Sequence, residues 1–300
     1  MQQQRLLLGR GLRYLRGRAT PWLFLLPAIV VYTVFLAGPA VVSFVYSLTN
    51  WTGSGPLHFV GVHNYVSLFH NSEALTALRN TAIWAVVMVA VPAVVGLGLA
   101  NLFRGKGWWK GPALALTYLP AVLPMIGVAL IWDWIYNPDF GFLNSFLTKV
   151  GLGSLGADWL GSPNTALPAI LVPAVWVGIG LPMVLYLAGI QTIPPELYEA
   201  ARVDGGTRAQ VFRHVTLPGL RQFHVIVVAL QIIAALQVFA IVYALTAGGP
   251  GVQTEVLGTW MYYNIFAFQH VGYGSAVGWL LGAIALVVTV PYVLWMTRGE

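Results

Sequence analysis

The sequence predicts an all-α polytopic membrane protein with six transmembrane helices. Three observations carry that expectation. Of 300 residues, 58% are hydrophobic and 8% charged, against about 25% charged in an ordinary soluble domain, so charge cannot cover a water-facing surface of this size. Apolar runs near the roughly 20 residues of helix that cross a hydrocarbon core recur six times. The Lys and Arg residues gather in alternate connections rather than evenly.

The six runs lie at 21–48, 80–103, 112–135, 166–190, 222–246 and 275–297. The first follows a basic segment, 1–20, with Arg5, Arg10, Arg13, Arg16 and Arg18. It is too long for the 7–15-residue core of a secretory signal and reads as an uncleaved first span. The leader alternates leucines with arginines, which suits a simple topogenic cluster or a helix lying on the inner leaflet. With the N-terminus cytoplasmic, the inside also receives Arg104, Lys106, Lys110, Arg202, Arg208, Arg213, Arg221 and Arg298. Only Arg79 and Lys149 fall outside. The positive-inside rule therefore places both termini in the cytoplasm, with 21–300 as one six-helix transmembrane domain.

The outer connections 49–79 and 137–165 mix turn residues with Phe and Leu, and are long enough for short surface or re-entrant helices. The connection 247–274 opens on AGGPG, a tight-turn sequence. Prolines 168, 173 and 182 with Gly178 and Gly180 predict a kinked fourth span of the kind that borders a cavity. Gly274, Gly278 and Gly282 repeat every four residues in the sixth, letting another helix approach, from this chain or a second subunit. Tyr186, Gln231, Gln237 and Tyr243 are polar side chains at depth in the fourth and fifth spans. They suit a solute path or helix-to-helix hydrogen bonds.

Several chemistries are excluded or disfavoured. No cysteine is present, so disulfides, thiolate metal sites and cysteine nucleophiles are absent. GLGSLG at 151–156 matches a dinucleotide fingerprint in letters but lacks the strand before and helix after that the fingerprint requires. Gly105-Lys106 lacks the first Gly and final Ser/Thr of a P-loop, having Ala100 and Gly107 instead. His58, His63 and His70 share a loop without carboxylate support for a metal. No nucleophile–base set stands out, so catalytic and metal residues are expected to be none, cofactors none in this chain, and nucleic acid no partner. Asp133 is the single acidic residue inside a predicted span, near its outer end, which disfavours the proton- or ion-coupled secondary carrier that is the main rival reading.

The longest polar interruption is the connection at about 191–221. Pro194-Pro195 starts a helix, Glu196 and Glu199 sit near its positive end, and Ala200 and Ala201 leave a surface that another backbone can approach. Asp204-Gly205-Gly206 breaks it, with Gly free to take φ > 0. Thr207 caps a second helix of about 207–216, which Pro218 is expected to stop. Val211, Phe212 and Val215 share one face, with Arg208 and Arg213 around them. That face either inserts into a partner's groove or folds back on the chain's own helix ends.

This connection resembles the EAA loop of ATP-binding-cassette importer permeases. Glu199-Ala200-Ala201, Gly205 and Leu217-Pro218 stand at the family's spacing, with Val215 where Ile is usual. VGVHNY (60–65), YNPDFGFLN (136–144), LTAGGP (245–250) and the run 254–276 resemble the carbohydrate-uptake branch. The resemblance implies a type I importer permease fold in a bacterial or archaeal cytoplasmic membrane, forming half of a pore for a sugar or related polyol. It implies a second, homologous permease subunit, expected as a heterodimer. Separate ABC ATPase subunits would bind ATP and Mg and dock at Glu199, with Gly205 making the bend. An extracytoplasmic solute-binding protein would deliver the solute, and membrane lipid would surround the pore. A non-sugar importer is the nearest alternative.

Overall fold

A computed structural model describes residues 22–105 and 107–297; the basic leader, Lys106 and Arg298 lie outside the described residues. Among these residues the secondary structure is helical, with a single isolated bridge between Thr49 and Phe59. Four helices are long and apolar enough to cross a membrane: α1 (Trp22–Ser47), α3 (Ser72–Phe103), α7 (Ala166–Thr192) and α13 (Val271–Thr297). The count reaches six if each of two bent helix pairs is one span.

The third predicted span is one of those pairs. α4 (Lys110–Val122) and α5 (Met125–Tyr136) meet at 101°. Proline explains the break: Pro120 is the second residue of the 3₁₀ turn, Leu119–Val122, that ends α4, and Pro124 stands at the N-cap of α5 with extended ψ of 133°. The fifth span also differs from the expected continuous run 222–246. α10 (Arg221–Leu236) stops, residues 237–239 leave the helix, and α11 (Ala240–Thr246) resumes. No Pro or Gly marks that break. Packing makes it, because α11 lies against α5 and α7 and Ile241, Val242 and Leu245 are buried there. In the fourth span the predicted kink is a one-residue interruption at Ile179, inside what remains a single long span.

The second span starts two turns earlier than its apolar run. Asn71 caps α3, its side chain accepting from the Glu73 and Ala74 amides at 2.9 and 3.0 Å. Ala74 and Ala77 on the added turns are fully buried against Leu257, Trp260 and Val277. α3 then runs along α7 so closely that a Cβ on Gly96 would lie 2.8 Å from the backbone of Met183; only glycine allows that approach.

Short helices decorate the end away from 103–111: α2 (His63–His70), α6 (Phe142–Lys149) and α12 (Leu257–Tyr262), the last continued as a π turn, Tyr263–Ala267. α1 sits at the edge. None of its most apolar stretch is buried within the chain; it touches α13 through Phe44–Trp279 ring contact at 4.9 Å and a hydrogen bond from Trp279 Nε1 to Ser43 Oγ at 3.0 Å. The glycine series of α13 divides. Gly274 and Gly278 face Ile265 and Met261 of the same chain, while Gly282 faces open space.

Candidate functional site

The polar connection forms an elbow of two helices, α8 (Pro195–Val203) and α9 (Arg208–Gly219). Pro194 precedes α8, Glu196 sits in its first turn and Arg202 in its last, each with the sign that the helix dipole favours. α8 ends in a Schellman arrangement: the Gly206 amide donates to Ala201 O at 2.9 Å and the Gly205 amide to Arg202 O at 3.0 Å. Gly205 holds φ +76° with open space where a side chain would stand. Thr207 and Gln210 then form a capping box that starts α9.

The elbow's arms are tied together. Tyr198 Oη and Thr216 Oγ1 lie 3.3 Å apart, and Thr216 is buried. Val211 is buried too, and Val215 packs on the cluster of Tyr186, Ile190, Ile193 and Leu220. Phe212 is half-buried. The apolar face of α9 thus folds back mainly on the chain itself. The exposed surface comes from α8 and the turn: Glu199, Ala200, Asp204, Arg208 and Arg213 are exposed, and Val203 is 86% exposed. Val203 and Leu197 carry no signal of this exposure in the sequence. Their spacing put them off any recognisable stripe, and only the elbow's geometry shows them outside. Pro218 does not stop α9. Residues Phe212–Thr216 form a π turn just before it, and the helix runs on to Gly219; a wider turn accommodates the ring that an α-turn would clash with. Leu217 is half-buried and Pro218 exposed. After Leu220 the chain turns by 70° into α10.

The four polar residues at depth separate. Gln231 and Gln237 line one cavity of about 360 Å³, bounded by Trp84, Met88, Gly178 and Phe239. It lies where the α4–α5 bend and the 237–239 break face each other. Gln231 Nε2 donates to Met88 O at 3.1 Å, and Gln237 is exposed. Tyr186 is elsewhere, buried with Oη 2.9 Å from His224 Nδ1. Tyr243 belongs to an aromatic group with Phe239, Tyr262 and Tyr263.

At the opposite end from the elbow, the AGGP turn wraps a buried carboxyl. Glu255 is 4% exposed, and Thr259 Oγ1 lies 2.5 Å from its Oε2. Burial pushes the Glu255 carboxyl up to about 7; the Thr259 hydrogen bond opposes that shift and the charge of Glu73 adds to it. Asn80 fixes the same turn, donating to Gln253 O and Glu255 O at 2.9 and 2.8 Å. Asp133, the acid noticed from sequence, is exposed on α5. No three His, Cys, Asp or Glu gather as metal ligands among the described residues; His63 and His70 turn onto their own helix.

Known proteins resemble this chain in sequence and in fold. Residues 92–298 match the family model described as "Binding-protein-dependent transport system inner membrane component". The chain is 35% identical to the probable ABC transporter permease protein YurN of Bacillus subtilis, over 95% of this chain and 98% of that one. It is 33% identical to the trehalose/maltose transport system permease protein MalF of Thermococcus litoralis, over 90% and 91%. Among solved structures, a chain of a bacterial ABC transporter involved in alginate import superposes with TM-score 0.82, 24% identity and coverage of 96% and 98%.

Proposed function

This chain belongs to the binding-protein-dependent transport system inner membrane components, the permeases of ABC importers, and we propose that it forms half of a carbohydrate pore driven through its elbow by a separate ATPase. The single observation that carries the drive mechanism is the elbow: two capped, mutually tied helices presenting Glu199, Ala200, Val203 and Asp204 outward at the end of α7. A rigid projecting element transmits force; a flexible loop would absorb it. Glu199, Ala200, Ala201, Asp204, Gly205, Arg208 and Arg213 form the docking surface. Phe212, Leu217 and Pro218 support it from behind.

The solute class rests on the outer motifs and on relatives such as the trehalose/maltose permease. Solute crosses beside Gln231 and Gln237, whose amides can exchange hydrogen bonds with sugar hydroxyls as they pass. Two broken helices at one depth suit such a path, since non-helical backbone within a membrane is tolerated where it lines a cavity. An extracytoplasmic binding protein delivers the solute at the end carrying Glu255. A second, homologous permease completes the pore, both termini are cytoplasmic, and the membrane is the cytoplasmic one. ATP and Mg belong to the ATPase partner.

Gentle detergent extraction of the tagged chain, followed by mass spectrometry of what accompanies it, tests the reading. An ATPase subunit and a second permease should co-purify, and ATP-dependent sugar uptake should need all of them. Sugar uptake by the chain alone under an ion gradient would overturn it.

A further inference from the structure

A cavity lies between the elbow and the 103–111 connection. It measures about 850 Å³ and joins two kinds of lining. Arg104, Lys110 and Arg202 line it with one carboxylate, Glu199, while Phe103, Leu114, Leu187 and Ile190 make an apolar wall. That wall is built from α3, α4 and α7 near the elbow, with Phe103 and Ile190 buried in the chain and Leu114 and Leu187 half-buried. Trp108, 91% exposed, and Trp109 sit on the same connection, where amphipathic rings mark a membrane–water boundary.

Two of the three cations are held in place by neutral partners. Arg104 lies over the Tyr198 ring, 5.1 Å from its centre, and Lys110 Nζ donates to Arg104 O. None of the three meets a carboxylate in an ion pair among the described residues. Formal charges of +3 and −1 leave the cavity at +2. A single phosphate would not need so long an apolar wall. An acidic protein segment would leave that wall uncovered.

We propose that this cavity seats an anionic phospholipid, its phosphate among Arg104, Lys110 and Arg202 and an acyl chain along Leu114, Leu187 and Ile190. The lipid bridges the 103–111 connection and α8, so the coupling elbow is braced by the membrane as well as by the protein. This inference does not depend on the transported solute.

The test uses the full chain, purified with its accompanying subunits and placed in nanodiscs of phosphatidylcholine with phosphatidylglycerol. Native mass spectrometry counts the phosphatidylglycerol retained. With two of the three cations removed, Arg104→Gln/Lys110→Gln should lower phosphatidylglycerol affinity by about tenfold or more and leave phosphatidylcholine unaffected. Arg202→Gln, on the exposed end of α8, should weaken retention in the same direction without touching the spans. Equal retention by the wild type and both variants would overturn the proposal. So would displacement of the lipid by soluble glycerol phosphate, which would assign the site to a free phosphate. Retention that disappears whenever the ATPase is bound would make the cavity a protein interface and also overturn it.

Discussion

Gly205 shows how one backbone angle controls a junction. Its φ of +76° lies in the left-handed region, and the two hydrogen bonds that close α8 depend on it. Space is not the constraint, because nothing stands within 4 Å of where a Cβ would be. Gly205→Val should therefore cost about 1–2 kcal/mol of local conformational energy without disturbing the spans. The elbow would reopen at its weakest point, and the variant should reach the membrane normally while retaining less ATPase on co-purification. Undiminished ATPase would refute the role of this bend. Glu255 shows the same dependence on a single group at the other end. Its carboxyl titrates near 7 when folded against an ordinary 4.5. The folded state thus holds the proton more tightly than the unfolded state does. Stability is highest below about pH 4.5, falls as pH rises from 4.5 through 7, and is flat beyond, other groups apart. Glu255→Gln, which keeps the shape without the charge, should flatten that slope and melt about 2–4 °C higher than the wild type at pH 8. A wild-type melting curve that is flat or rising between pH 5 and 8 would argue against a neutral buried carboxyl.

At the level of whole elements, the elbow was legible wherever local chemistry decides. Pro194-Pro195, the Asp-Gly-Gly turn and the Thr207 cap each act within four residues, and each stands where the sequence puts it. The orientation of α9 was not legible. Amphipathicity separates faces but does not say whether the apolar one meets a partner or the chain's own helix ends; burial of Val211 and Thr216 favours the second. The span interiors divide in the same way. Prolines explain the α4–α5 bend, whereas the 237–239 break has no local signal and exists because α11 is held against α5. A pair of variants follows. Val203, 86% exposed, can accept a charge without cost to the fold, so Val203→Asp should leave the melting temperature within about 1–2 °C of wild type, as surface changes do. ATPase retention and sugar uptake should nonetheless drop about tenfold, because the charge falls in the proposed docking contact. Phe212→Asp buries part of a carboxylate and should lower both melting temperature and uptake. If Val203→Asp transports normally, the docking surface lies elsewhere on the elbow.

Across the whole molecule, the connections sort into two ends, and the sorting is physical. Arg104 of one connection stacks on Tyr198 of the elbow, so 103–111 and 191–221 share an end. Asn80 binds the backbone of Gln253 and Glu255, and Gly272 donates to Trp51 O, so 49–79 and 247–270 share the other. That division matches the split of Lys and Arg in the sequence, and the positive-inside rule makes the first end the expected cytoplasmic one. The chain contains no cysteine, so single cysteines report sidedness without any background to remove. Val203→Cys and Leu57→Cys are both at exposed positions, at opposite ends. In intact cells a membrane-impermeant maleimide should label Leu57→Cys and leave Val203→Cys unmodified. Breaking the membrane should expose Val203→Cys, unless a docked ATPase shields it, and ATPase removal should then restore labelling. The reverse pattern in intact cells would turn the molecule over, put the elbow outside, and separate it from any ATP-hydrolysing partner.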